Sequence, residues 1–222
     1  MSRVPLKFLI EGPDGCGKSV IIKHLISRFK ANGYAVYHCI STTPNPDCPG
    51  ELNARTKLIA KDSTVEQRLI AALTLYHANM KRAEERMKHG DWDFILIERG
   101  FSGFLAYNRI EWLDIKEQAY LIPNVDHAIF ISSGFEELTE RIQARNKEMA
   151  GNVPHQDSDL KYRKEVFDKY ASYFELLAEV KEMDKAQIVH NYNGRLERST
   201  TVIYDFITGL VNEHQKKWQL LS

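Results

Sequence analysis

The segment Gly12-Pro13-Asp14-Gly15-Cys16-Gly17-Lys18-Ser19 fits the pattern G-x-x-x-x-G-K-[ST], and its flanks give the pattern mechanical meaning. Leu6-Lys7-Phe8-Leu9-Ile10 precedes it as a short, mostly apolar strand. Val20-Ile21-Ile22-Lys23-His24-Leu25-Ile26-Ser27-Arg28-Phe29 follows with apolar residues at helical spacing. A strand, a glycine loop and a helix start make an anion cradle, because loop N–H groups and the helix's positive end converge on one point. Gly12, Asp14, Gly15, Cys16, Gly17, Lys18 and Ser19 are the phosphate-binding candidates. Lys18 is placed to reach terminal phosphates and Ser19 to ligate Mg²⁺. The bland alternative is a glycine turn that ends in Lys-Ser, and the strand and helix around it count against that.

Outward from this loop, the pattern predicts a strand at 6–11, a helix at 18–31 ended by Asn32-Gly33, and a strand at 35–40. Ser41 to Gly50 holds three prolines and reads as a loop, with a short helix starting near Glu51. Asp62-Ser63-Thr64 is the expected cap of a long helix reaching about His89, stopped by Gly90. Val65, Leu69, Ala72, Leu73, Tyr76, Met80, Ala83 and Met87 form its expected apolar stripe. Asp93-Phe94-Ile95-Leu96-Ile97 reads as a buried strand, followed by helical character over 102–120. A strand at 127–131 and a helix at 135–146 come next, and Gly151-Asn152-Val153-Pro154 breaks the pattern. A helix over 158–183 should bury Tyr162, Val166, Tyr170, Tyr173, Phe174, Leu177 and Val180. A strand at 187–190 and a helix at 199–214 finish the chain. Strands alternating with helices predict an α/β three-layer sandwich, a five-stranded parallel sheet with helices on both faces. The 222 residues suit a single domain, 1–222, with 141–158 as a mobile lid.

Lys+Arg and Asp+Glu both total 30, so no long-range field favours nucleic acid or an anionic membrane surface. Cys16, Cys39 and Cys48 are an odd, sparse set without metal spacing, which predicts reduced thiols and a cytoplasmic setting. Cys16 reads as a small filler in the loop. No apolar run suggests a signal peptide or a membrane span.

Strand 93–97 closes on Glu98-Arg99, where a carboxylate commonly holds Mg²⁺ or its water beside a phosphate loop. The alternative is a local salt bridge at the sheet's edge. Here the chain resembles the thymidylate kinases, whose loop reads E-G-x-D/E-G-x-G-K-[ST]; this chain has Glu11 to Ser19. The family's R-E-P-G-G-T-P-x-G-E loop corresponds in length to Thr42 to Glu51, with Pro44, Gly50 and Glu51 matching. Its D-R-Y-x-x-S-x-x-A-Y-Q signature corresponds to Glu98 to Asn108, with Arg99, Ala106 and Tyr107 matching. Its R-x-x-x-R lid corresponds to Arg141 and Arg145, followed by Asp157 and the segment Tyr162 to Tyr170.

The resemblance implies transfer of the γ-phosphoryl of ATP to a nucleoside monophosphate, dTMP or a related deoxynucleotide, with Mg²⁺. It implies that Arg99 holds the acceptor phosphate, that Asp14 meets the acceptor's sugar, and that Ser19 and Glu98 serve the metal. Lys18, Arg99, Arg141 and Arg145 are then the catalytic candidates, the last two being four apart and so on one helix face. A homodimer is the family's default. Two departures concern the acceptor. Thr42 stands where the family has the loop arginine. Ala72 and Tyr76 fall at the positions expected for the base-stacking phenylalanine and base-reading arginine, in a register counted back from Gly90. Tyr76, Tyr107, Asn108 and Arg55 are the candidates to rebuild that recognition, and the base stays open.

Two rivals remain at this level. A deoxynucleoside kinase shares the loop and an E-R element, but it needs a carboxylate just after the second strand to take the nucleoside's proton. Thr42-Thr43-Pro44 occupies that place. A nucleotide-binding switch module with little turnover would not require Arg99 or the lid arginines.

Overall fold

The computed structural model describes residues 5–60, 62–88, 90, 92–108, 110–111, 120–148, 159–181 and 185–221. The strands are β1 (Leu6–Glu11), β2 (Val36–Ile40), β3 (Phe94–Glu98), β4 (His127–Ser132) and β5 (Lys185–His190). They form one parallel sheet in the order β2-β3-β1-β4-β5. The helices described are α1 (Lys18–Ala31), α2 (Pro49–Ile59), α3 (Val65–Lys88), α4 (Phe101–Tyr107), α5 (Phe135–Glu148), α6 (Leu160–Val180) and α7 (Leu196–Leu221).

The central strands are apolar runs because both of their faces are covered. Phe8, Ile10, Leu96, Ile129 and Ile131 face α1 and α7, meeting Ile21, Leu25, Phe29, Ile203 and Ile207. The alternate residues Leu9, Ile95, Ile97, Ala128 and Phe130 face α3, α4 and α6, meeting Tyr76, Phe101, Leu105, Val166, Tyr170 and Phe174. This is the three-layer sandwich the alternation predicts. The order reverses at β1, so the loop after β1 opens at a crevice between carboxyl ends of strands, the usual ligand position in such sheets. Ile10 pairs with Glu98, which sets the end of β3 beside the root of the phosphate loop.

α3 starts at Val65 behind the expected cap, where Thr64 and Gln67 cap each other: the Gln67 N–H donates to Thr64 Oγ1 at 3.1 Å, and the Thr64 N–H to Gln67 Oε1 at 3.0 Å. Other features differ from the sequence reading. Val65 is exposed, while Ala71, Leu75 and Asn79 are buried; α2 packs along α3, so the buried face is wider than one stripe. α4 ends at Tyr107, with Asn108 donating back to the Phe104 carbonyl. α7 outgrows 199–214 at both ends, passing through Gly209 without a break, and Gln215 Nε2 ties its tail to Asp93 Oδ1 at 3.1 Å. The expected residues 112–119, 149–158, His89, Asp157 and the Val180 side chain lie outside the described residues.

Candidate active site

Three backbone conformations closed to ordinary side chains shape the loop. Gly12 has φ of +146°, and a Cβ there would sit 2.1 Å from the Ile131 carbonyl oxygen. Gly17 has φ of +89°, and a Cβ would meet Asn191 Nδ2 at 2.6 Å. Gly15, at φ of +84°, completes the turn. Asn191 Nδ2 donates to the Cys16 carbonyl at 2.8 Å and so fastens the loop to the end of β5. Lys18 opens α1 and is buried; its ammonium donates to the Gly12 and Pro13 carbonyls. Cys16 lies 3.8 Å from that ammonium, and burial pushes its thiol up against the pull of the Lys18 charge. All three cysteines are free.

Ser19 Oγ donates to Glu98 Oε1 at 2.9 Å. His38 Nε2 stands 3.3 Å from Glu98 Oε2, a neighbour with no sequence signal, since only the strand pairing brings β2 there. Burial pushes the Glu98 carboxyl up, yet the contacts with His38 and Ser19 and the Lys18 charge outweigh it and hold the group below the usual range. Among the described residues no three His, Cys, Asp or Glu side chains gather. A hydroxyl and one ionised carboxylate do suit Mg²⁺, which at phosphate sites takes few protein ligands and completes its shell with phosphate oxygens and water.

Beside the loop opens a cavity of 330 Å³. Lys18, Asp14, Arg55, Tyr76, Arg99, Tyr107 and Asn108 all line it, so the candidate acceptor residues come together with the cradle. Arg99 has φ of +72°, the left-handed region, in a non-glycine residue. Its N–H donates to the Ile10 carbonyl at 3.1 Å, and its own carbonyl accepts from Ser41 Oγ at 2.6 Å. Burial, and then the positive charge of Arg99, lower the pKa of Arg55. Two guanidiniums that feel each other across a cavity make a site for an anion. Tyr107 accepts from the Asp14 N–H at 2.8 Å, and the Tyr76 hydroxyl donates to the Gly100 carbonyl. Tyr76 is therefore pinned by its hydroxyl, with one side on the cavity.

Arg141 and Arg145 do not line this cavity. Arg141 braces the loop: it donates to the Gly15 carbonyl at 3.3 Å, the Asn191 carbonyl at 3.0 Å and Asn193 Oδ1 at 2.9 Å. Arg145 is exposed one turn further along α5. The sequence reading missed Arg68, Phe104 and Tyr170 on the cavity wall. Only Arg68 carried a signal, standing four and eight residues before Ala72 and Tyr76 on one face of α3.

The family model for thymidylate kinase matches residues 10–205. The chain belongs to the thymidylate kinase family. It is therefore a phosphotransferase of the P-loop nucleoside monophosphate kinase type, and its five-stranded parallel sheet with flanking helices is the α/β sandwich of a P-loop kinase. No curated protein matches the chain. No helix among the described residues is long and apolar enough to cross a membrane.

Proposed function

We propose that the protein moves the γ-phosphoryl of ATP onto the phosphate of a deoxynucleoside monophosphate, dTMP or a close relative, giving ADP and the deoxynucleoside diphosphate. The observation that carries this is the sharing of one cavity by Lys18, Arg55 and Arg99. An acceptor phosphate with a second pKa of about 6 is already an anion at neutral pH, so no base is needed. An acceptor oxygen forms the new bond to the γ-phosphorus while the bond to the ADP oxygen breaks. The protein's work is to hold two anions end to end and cancel their repulsion.

Lys18 exchanges the Gly12 and Pro13 carbonyls for phosphate oxygens. Arg99 grips the acceptor phosphate through its fork, with Arg55 beside it. Asp14 meets the sugar. Ser19 and Glu98 would hold Mg²⁺, whose chemistry is to neutralise charge on the β- and γ-oxygens. Arg141 keeps the loop in shape, and Arg145 stands on the same helix for contact with the transferring group. The same reading takes 1–222 as one domain with a lid over 141–158, a cytoplasmic homodimer.

A coupled ADP-release assay with ATP and Mg²⁺, run across nucleosides and all common ribo- and deoxyribonucleoside monophosphates, tests it. Release with a deoxynucleoside monophosphate, abolished by Lys18→Ala, is expected. Nucleosides accepting where monophosphates do not would make the protein a nucleoside kinase. Tight ATP binding with no acceptor at all would make it a switch.

A further inference from the structure

The edge strand β2 carries a histidine between two apolar residues of the same face. Val36, His38 and Ile40 share that face, because side chains alternate along a strand. Val36 joins the core beneath α1 there. Ile40 pairs with Glu98 in the parallel register, so the Glu98 side chain leaves the sheet on the same face, one step ahead of His38. Ser19, in the first turn of α1, joins them through its bond to Glu98. His38 is half-buried, and its Nε2 is shielded from solvent.

One carboxylate thus has a hydroxyl at one oxygen and an imidazole at the other. Ser19 Oγ stands 2.9 Å from Glu98 Oε1, and His38 Nε2 stands 3.3 Å from Glu98 Oε2. A charge-assisted N–H···O contact is tighter than the second of these, about 2.7–2.9 Å. Neighbouring ligands of a six-coordinate ion with bonds of about 2.1 Å stand about 3 Å apart, and the two spacings fall on either side of that value. With its proton on Nδ1, an imidazole turns a lone pair outward at Nε2. Mg²⁺ is a hard ion that takes oxygen, whereas first-row transition ions also take imidazole nitrogen.

We propose that His38 is a third protein ligand at the metal site, beside Ser19 and Glu98, so that the site takes a divalent transition ion such as Mn²⁺ or Co²⁺ in preference to Mg²⁺. This rests on the reading of Ser19 and Glu98 as the metal's holders and adds the group that selects the ion. The selecting nitrogen comes from the edge strand, outside the phosphate loop.

Electron paramagnetic resonance of Mn²⁺ bound to the full chain with ADP, its histidine nitrogens isotopically labelled, tests it. A coupling between Mn²⁺ and a directly bonded histidine nitrogen, absent from His38→Gln, is expected. Glutamine still reaches Glu98 as a donor but brings the metal no imidazole. Displacing the bound Mn²⁺ with Co²⁺ or Mg²⁺ reads the preference. The variant should lose about 10-fold or more in the ratio of Co²⁺ to Mg²⁺ affinity, with Mg²⁺ affinity nearly unchanged. An equal loss for both ions would make His38 a positioning residue for Glu98, and Mn²⁺ bound without a histidine coupling would make it a bystander; either overturns the proposal. The coupling is read on the intact protein, so it decides between these even if the variant melts early. Mn²⁺ titration without nucleotide keeps the two readings apart. A protein that holds Mn²⁺ through His38 yet binds no ADP would remove the kinase reading and keep this one, and a protein that binds ADP with Mn²⁺ but no histidine nitrogen would do the reverse. Failure to bind Mn²⁺ under either condition would overturn both.

Discussion

Replacing Glu11 by glutamine should make the protein more stable at alkaline pH and leave it unchanged in acid. Glu11 ends β1 directly beneath the glycine loop and is fully buried. It is pressed so closely on Gly100 that a Cβ there would overlap Oε1. Burial pushes its pKa up from 4.5 to about 8, with the Lys18 charge and the Gly103 and Ser102 amides pulling back only in part. The unfolded chain releases this proton near 4.5, while the folded chain keeps it until about 8. Between those values the native state binds one proton more than the unfolded state, so stability falls as pH rises through the window. The slope is about 1.4 kcal/mol per pH unit, which accumulates to about 4–5 kcal/mol by the top of the window. Glutamine has the shape of the protonated acid and nothing to ionise. Urea unfolding of both proteins at pH 5, 6.5 and 8 should give curves that coincide at the acid end and separate steadily upward. Stability differences that stay flat across the three pH values would refute the reasoning.

Arg99→Ala should lower kcat/KM for the acceptor by about 100-fold or more, the worth of two charge-assisted hydrogen bonds, and cost more than Arg55→Ala. Steady-state kinetics with saturating ATP reads this directly, and equal losses would undo the assignment of Arg99 to the acceptor phosphate. Gly12→Ala should abolish ATP binding and destabilise the fold by more than about 2 kcal/mol, since its Cβ meets a backbone oxygen that cannot swing aside. Nucleotide titration and thermal melting check both halves.

The architecture was legible because its signals are local. β1, the glycine loop and α1 follow one another within 26 residues, Leu6–Ala31, and each carries its own pattern: an apolar run, positive-φ glycines and a 3.6-residue stripe. The boundaries of α7 were not: its tail beyond 214 buries little, and Gln215 ties it to Asp93 across a long sequence separation that no local pattern marks. The Ser19–Glu98 pair was legible from position alone, one group after each of two strands that such sheets place side by side. His38 was not, since its approach to Glu98 depends on which strand neighbours β3 and in what register. Arg141 matched the lid pattern, yet its bonds to the loop and to Asn193 belong to a contact between distant segments that spacing within one helix does not encode. Arg55 and Arg99 were both candidates for the acceptor on sequence, and the packing of α2 along α3 accompanies their meeting in one cavity.

The left-handed twist at Arg99 has a consequence for how its guanidinium is aimed into the cavity. Folding holds a peptide there that an L-residue resists by about 1–2 kcal/mol. It stays because clamps from two different strand ends grip it on either side, the Ile10 carbonyl and the Ser41 hydroxyl. The direction in which this guanidinium leaves the chain is thus inherited from the sheet and does not depend on neighbours packed around its tip. On the proposed reading, a change at Ser41, which is buried and does not line the cavity, would re-point the acceptor's anchor as surely as a change in the anchor itself.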